Sequence, residues 1–144
     1  MKVVIQRVLS ASVSVDSEIV GSINQGLLIL LGVVKEDVLA DLNYLVKKTI
    51  GLRIFKDEDN NMNRSIKDIG GEALVISQFT LCANTDKGLR PSFINAAPSG
   101  IAENTYKIFC EKLLEKKVVA GSSLRIPTPN IAIVGISVFM FPII

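Results

Sequence analysis

The sequence predicts an α+β fold, a mostly antiparallel, barrel-like sheet joined by two amphipathic helices, within one domain spanning residues 1–144. Three observations carry this expectation. The first third of the chain is rich in β-branched residues and cut by short polar turns, two later segments switch to helical spacing, and neither a repeat nor a linker interrupts the chain. At 144 residues there is enough chain for one core and too little for two.

The opening "MKVVIQRVLSASVSVDSEIVGSINQGLLILLGVV" breaks at Asp16-Ser17 and at Asn24-Gln25-Gly26, which reads as three or four strands with hairpin connections. Within it "GLLILLGV" is continuously apolar, as in a strand covered on both faces. From Val38 the period changes. Val38, Leu42, Leu45, Val46 and Ile50 share a helix face, and Lys47 and Lys48 sit near its C-terminal end, where cations are favoured. "LRIF" reads as a short strand, and "KDEDNNMN" as a solvated hairpin turn, because Asp57, Asp59 and Asn61 lack the glycine and distant glutamate of an EF-hand loop. "ALVISQF" is the central strand. Ala102, Tyr106, Phe109, Leu113 and Leu114 then mark a second helix, with Ser99 as its expected cap.

Composition narrows the chemistry. The chain holds no histidine, which excludes a Ser-His-Asp triad, a Cys-His dyad and histidine-ligated zinc. Cys82 and Cys110 are too few for a metal site and read as two reduced, buried small hydrophobes. A net charge of +2 means that any contact with nucleic acid must come from a local patch. No cofactor, metal or membrane is expected. Nothing at the N-terminus resembles a secretory signal, so a cytoplasmic location is expected.

The stretch Ser77-Gln78-Phe79-Thr80 carries more polarity than a core strand needs. Strand alternation would send Gln78 and Thr80 to one face, where together they can hold a small polar ligand. The following loop, with Lys87, Gly88, Arg90 and Pro91, adds positive charge and a fixed backbone suited to an anionic or ribose-containing substrate. The alternative is that these groups only satisfy nearby backbone. Thr80 has no histidine to act as base and no carboxylate closer in sequence than Glu72 or Asp86, so hydrolysis here would rely on positioning, backbone donors or the substrate's own groups.

"MKVVIQRV" with "ASVSV", "GLLILLGV", "LRIF" followed by a polar loop containing "MN", "SQFTL", "KGLRPSF" and "AENTYKIF" closely resemble the bacterial D-aminoacyl-tRNA deacylases, from Met1 to about Lys117. The resemblance implies a cytoplasmic homodimer that hydrolyses the ester between a D-amino acid and the 3′-terminal adenosine of tRNA, and that also removes mischarged glycine. It implies that Ser77, Gln78, Phe79 and Thr80 line the pocket for adenosine and the aminoacyl group, with Gln78 and Thr80 at the chemistry and backbone groups and the ribose 2′-hydroxyl doing most of the work. It also implies that Arg7 steadies the selecting loop of the dimer partner. On the bottom-up reading Lys87 and Arg90 contact the tRNA end.

From about residue 118 the resemblance stops. The family ends on a Gly-Pro dipeptide that enters the partner's site and rejects L substrates. Here Gly135 is followed by Ile136, and none of Pro127, Pro129 and Pro142 follows a glycine. A shifted reading frame near the 3′ end of the gene would produce such an abrupt loss. The apolar run 131–144 is too short for a membrane helix and reads as a core strand or two. Two alternatives stay open: a tRNA 3′-end binding protein that has lost selection or catalysis, and an editing module for L-amino acids.

Overall fold

The computed structural model describes residues 1–86, 88–116, 118–122 and 135–140, with only the backbone described in strand segments 119–122 and 135–140. β1 (Lys2–Val15), β2 (Glu18–Ile23), β3 (Gly26–Gly32), β6 (Glu72–Ser77), β7 (Val119–Ser122) and β8 (Gly135–Met140) form one curled mixed sheet. The small hairpin β4 (Phe55–Lys56) and β5 (Met62–Arg64) stands apart, and α1 (Leu39–Gly51) and α2 (Ser99–Glu115) pack on one face of the sheet.

β1 turns into β2 through Asp16 and Ser17, both at positive φ (50° and 68°), which is the two-residue turn whose twist suits a hairpin. β1 then changes neighbours along its length. Lys2 to Val8 pair with Gly32 to Gly26 of β3, whereas Ala11 to Val15 pair with β2 and Val8 to Ser14 pair with β8. All three pairings are antiparallel, as expected. The other half of the sheet departs from that expectation, because β3–β6 and β6–β7 run parallel. A parallel pair needs a long crossover, and α1 with the β4–β5 hairpin supplies one while α2 supplies the next.

β3 is buried on both sides, as its unbroken apolar run requires. Leu27, Ile29, Leu31 and Val33 meet Ala73, Val75 and residues of both helices, including Leu42, Val46, Phe109 and Leu113. Leu28 faces the opposite way, toward Val8, Ala11, Val13, Ile23, Leu74 and Ile76 in the concave side of the sheet. At the start of the parallel pair, a Cβ on Gly26 would lie 1.7 Å from the Glu72 carbonyl oxygen, so no other residue fits without parting the strands.

Both helices form where the periodicity indicates, with local corrections. Val38 is the exposed N-cap of α1 rather than part of its buried face, and its N–H donates to the Asp41 carboxylate at 3.0 Å. In α2 the cap position belongs to Pro98, so Ser99 is already helical and caps nothing. Leu114 falls just past the stripe of Tyr106, Phe109, Cys110 and Leu113 and is exposed. Of "LRIF" only Phe55 joins a strand. The loop after it is a solvated turn: Asp57 Oδ1 accepts from the N–H groups of Asp59 (3.0 Å) and Asn61 (2.9 Å), and these bonds, Asn61's foremost, hold its carboxyl below the usual range. Buried Tyr106 donates its hydroxyl to the Val75 carbonyl at 2.9 Å, tying α2 to β6. Both cysteines are free and buried, as expected. In the tail, β8 is a strand, as read; residues 123–134 and 141–144, with Pro127, Pro129 and Pro142, lie outside the described residues. No helix among the described residues is long and apolar enough to cross a membrane.

The α-ammonium of Met1 is buried against Asp37 Oδ1, and Asp37 Oδ2 accepts from the Val34 N–H at 2.7 Å. This fastens the start of β1 to the segment leaving β3. Removing one partner of a buried pair strands the other charge, so Asp37→Ala is expected to cost about 3–5 kcal/mol. Urea unfolding of the variant beside the wild type measures it; a loss below about 1 kcal/mol is what a surface pair would give.

Candidate functional site

The end of β6 builds the site. Ser77 is the last strand residue, opposite Leu31, and the next N–H, of Gln78, donates to the Leu31 carbonyl at 2.8 Å. Gln78 then turns away (φ −138°, ψ 87°) into a 3₁₀ turn, Phe79–Cys82, closed by Leu81 N–H to Gln78 O and Ala83 N–H to Thr80 O. The alternation expected across Ser77 to Thr80 therefore does not apply. The turn nevertheless joins the expected pair by a different route, because the Gln78 side-chain amide donates to Thr80 Oγ1. With that oxygen accepting, the Thr80 hydroxyl proton is free to point outward. Ser77, Phe79 and Thr80 are exposed and Gln78 is partly buried.

The turn is pinned from below. The Cys82 thiol donates to the Val33 carbonyl at 3.4 Å, and the turn lies across Gly32, where a Cβ would sit 3.0 Å from Leu81 Cβ, 3.1 Å from Cys82 Sγ and 3.2 Å from Gln78 O. Phe79 and Thr80 open the turn, and N–H groups in that position have no acceptor inside it. They are available to a ligand's oxygen.

Asn84 and Ser92 then close a loop by exchanging two backbone bonds (2.8 and 2.9 Å). Gly88 in this loop takes φ +84°, and Leu89, Arg90 and Pro91 are exposed. The closure delivers Phe93 to Phe79, ring edge to ring face, with centroids 5.2 Å apart. Thus "SQFTL" and the "PSF" of the following loop meet in space. The chain returns along the extension of β3 through Lys35 N–H to Asn95 O and Ala97 N–H to Val33 O.

Of the other expected site residues, Arg90 lies exposed in this loop and Lys87 lies outside the described residues. Arg7 is not brought to the Gln78–Thr80 pair of its own chain. It stands opposite Leu27, four positions along the sheet from Leu31 and Ser77, or about 13 Å at ~3.3 Å per residue, and donates to the Ile54 carbonyl at 2.6 Å. One nearby residue escaped the sequence reading. Lys2 is exposed and pairs with Gly32, beneath the 3₁₀ turn; its position depends on a strand register that a single sequence does not reveal.

The chemistry available is positional. Asp86, the carboxylate closest in sequence after the turn, accepts from the Asn84 side-chain NH2 and donates its own backbone N–H to the Asn84 side-chain oxygen. Burial raises the pKa of Cys82 and pushes that of Cys110 up to about 11, so neither thiol supplies a ready nucleophile. Among the described residues no three His, Cys, Asp or Glu side chains cluster as metal ligands. What remains is an amide–hydroxyl pair, two N–H groups with no acceptor within the turn and an exposed aromatic pair, groups able to hold a polar ligand that also carries an apolar ring.

The sequence profile of the family described as D-Tyr-tRNA(Tyr) deacylase matches residues 4–124. Relatives named D-aminoacyl-tRNA deacylase include one from Clostridioides difficile, 49% identical over 122 residues, spanning 85% of this chain and 82% of the relative. Another, from Fusobacterium nucleatum, is 54% identical over 113 residues, spanning 78% and 75%. Among solved structures, one titled c-Myc DNA Unwinding Element Binding Protein superimposes with a TM-score of 0.83 at 34% identity, over 96% of this chain and 91% of its own. A probable eukaryotic D-amino acid tRNA deacylase shares the fold, with a TM-score of 0.74 at 12% identity over 96% and 92%.

Packing of the turn on Gly32 can be read through Cys82. Gly32→Ala is expected to leave the fold intact but lift the turn by a few tenths of an ångström, exposing the thiol. Alkylation followed by peptide mass mapping should show Cys82 reacting about tenfold faster than in the wild type, with Cys110 unchanged; equal Cys82 rates would mean that the turn does not rest on Gly32.

Proposed function

The chain belongs to the D-Tyr-tRNA(Tyr) deacylase family and hydrolyses D-aminoacyl-tRNA, and from that premise we propose that the reaction takes place at the Ser77–Thr80 corner. The observation that carries this reading is the Gln78–Thr80 side-chain bond on a 3₁₀ turn whose first N–H groups have no acceptor within it. Water adds to the ester carbonyl carbon, the N–H groups of Phe79 and Thr80 stabilise the oxyanion, and collapse expels the 3′-oxygen of the terminal ribose, giving free tRNA and a D-amino acid. Gln78 fixes the Thr80 hydroxyl, which orients the substrate. The ribose 2′-hydroxyl carries the proton traffic for which this histidine-free chain has no side chain. Ser77 and Phe79 flank the adenosine, and Lys87 and Arg90 meet the phosphates behind it. Mischarged glycine is a further substrate of this site, and the setting is the cytoplasm.

The same reading makes the working unit a homodimer. Arg7 lies far along the sheet from its own Gln78, which suits a role at the partner's site. Gly135 and Ile136 pair with Ser14 and Val13, at the opposite end of β1 from Lys2 and the 3₁₀ turn. That distance, too, suits a role at a partner's site rather than at their own. That segment lies beyond the family match and lacks a Gly-Pro dipeptide, so the rigid element that would reject an L side chain is missing.

If positioning and the 2′-hydroxyl carry the chemistry, Thr80→Ala should slow turnover within about the 10²- to 10⁴-fold range of one well-placed group, and a 2′-deoxy terminal adenosine should slow it more. Single-turnover rates on both substrates decide; a normal rate on the 2′-deoxy substrate would refute the substrate-assisted route. The tail gives a separate expectation: D-Tyr-tRNA and L-Tyr-tRNA are hydrolysed at comparable, low rates. A large preference for the D substrate would mean that another segment supplies the chiral filter, and binding of tRNA without turnover of either would favour an end-binding protein.

A further inference from the structure

Lys2 has no assigned role, yet its place in the sheet sets it against the site. In the antiparallel β1–β3 ladder Lys2 stands directly opposite Gly32, so the two residues point to the same face with Cβ positions about 4.5–5.5 Å apart. Gly32 contributes no side chain, and the space above it is filled by Gln78 O, Leu81 and Cys82. Lys2 is therefore the side chain next to the 3₁₀ turn on that face. Its charge is felt there: burial raises the Cys82 thiol, and the Lys2 ammonium draws it partly back.

The surroundings suit a nucleotide rather than a structural ion pair. Lys2 is exposed, and among the described residues it has no hydrogen bond and no ion pair; the nearby Asp37 carboxylate is occupied by the Met1 ammonium and the Val34 N–H. Two positions along β1 on the same face, Val4 is half exposed, and its partner Leu30 is only partly buried. A free cation rising from an open apolar shelf, next to an amide–hydroxyl pair, offers a base something to lie on and a phosphate something to pair with.

We propose that Lys2 binds a backbone phosphate of the single-stranded 3′ end of tRNA and thereby positions the terminal aminoacyl-adenosine over Gln78 and Thr80. This rests on the deacylase reading of the site, and it assigns to β1 a phosphate contact that the loop after the 3₁₀ turn was expected to provide alone.

The test compares the wild type, Lys2→Ala and Lys2→Arg on D-Tyr-tRNA and on 3′-D-tyrosyl-adenosine, which has no phosphate, with uncharged tRNA as a binding probe. Lys2→Ala should raise KM for D-Tyr-tRNA about tenfold, the size of one charge-assisted contact, with a much smaller change on D-tyrosyl-adenosine. The slope of log affinity against log salt for uncharged tRNA should flatten by about 0.7, one single-strand phosphate, and Lys2→Arg should restore most of both effects. Equal losses on the two substrates, or an unaltered KM and salt slope, would overturn the proposal. If the wild type hydrolyses neither substrate, the deacylase reading fails by itself, and the salt slope with uncharged tRNA still decides whether Lys2 meets a phosphate.

Discussion

The parallel pairing of β3 with β6 is the constraint on which the rest of the structure hangs. Its lower end is fixed by contact of backbone on backbone, Gly26 against the Glu72 carbonyl, and its upper end by the Gln78 N–H on the Leu31 carbonyl. Between these ends, large aliphatic residues are buried on both faces, each contributing roughly 1.5–3 kcal/mol. A slip of one residue would invert every one of them. Because the register cannot slide, the point at which β6 stops is also fixed, and it stops where Gly32 leaves space for a turn to fold over the sheet. The site is a by-product of strand register.

This origin explains the kind of chemistry the site can host. A chain without histidine, with both thiols buried and protonated, has little to offer as proton carrier at neutral pH. It has instead a held corner: a hydroxyl fixed by an amide, N–H groups that the start of a 3₁₀ turn leaves without an internal acceptor, and an aromatic pair held by the Asn84–Ser92 closure. Such a corner is pre-organised before any ligand arrives, and pre-organised dipoles are what the proposed substrate-assisted hydrolysis would most need.

Much of this was legible in the sequence, and the failures follow one rule. Strand and helix identities were readable wherever burial set the period, as in β3 and along Leu42, Val46, Phe109 and Leu113. The Asp16-Ser17 turn was readable because two polar residues interrupt a run rich in β-branched ones. What the chain does not announce is anything decided by a distant partner. The parallel half of the sheet, the end of β6 at Ser77 and the nearness of Lys2 to the 3₁₀ turn all depend on pairing between segments far apart in sequence. Gln78 and Thr80 were rightly paired through a wrong geometry, since two residues two positions apart can meet on a turn as well as on a strand. The pairing of β8, beyond the family match, is possible because a ladder of backbone bonds asks for little from side-chain identity.

That last pairing has a consequence for how the protein is made. β1 leaves the ribosome before its neighbours, and β2 and β3 follow at once to occupy part of its edges, but the stretch from Val8 to Ser14 waits for β8, far later in the chain. Until β8 is made that row of amide groups stays open on a nascent chain part of which is already sheet, the situation in which strands of neighbouring chains find each other. Passage through this interval, rather than the stability of the finished fold, would then set how much protein a cell recovers. Slowing elongation would lengthen the exposure, and a chaperone that shields extended segments would shorten its effect.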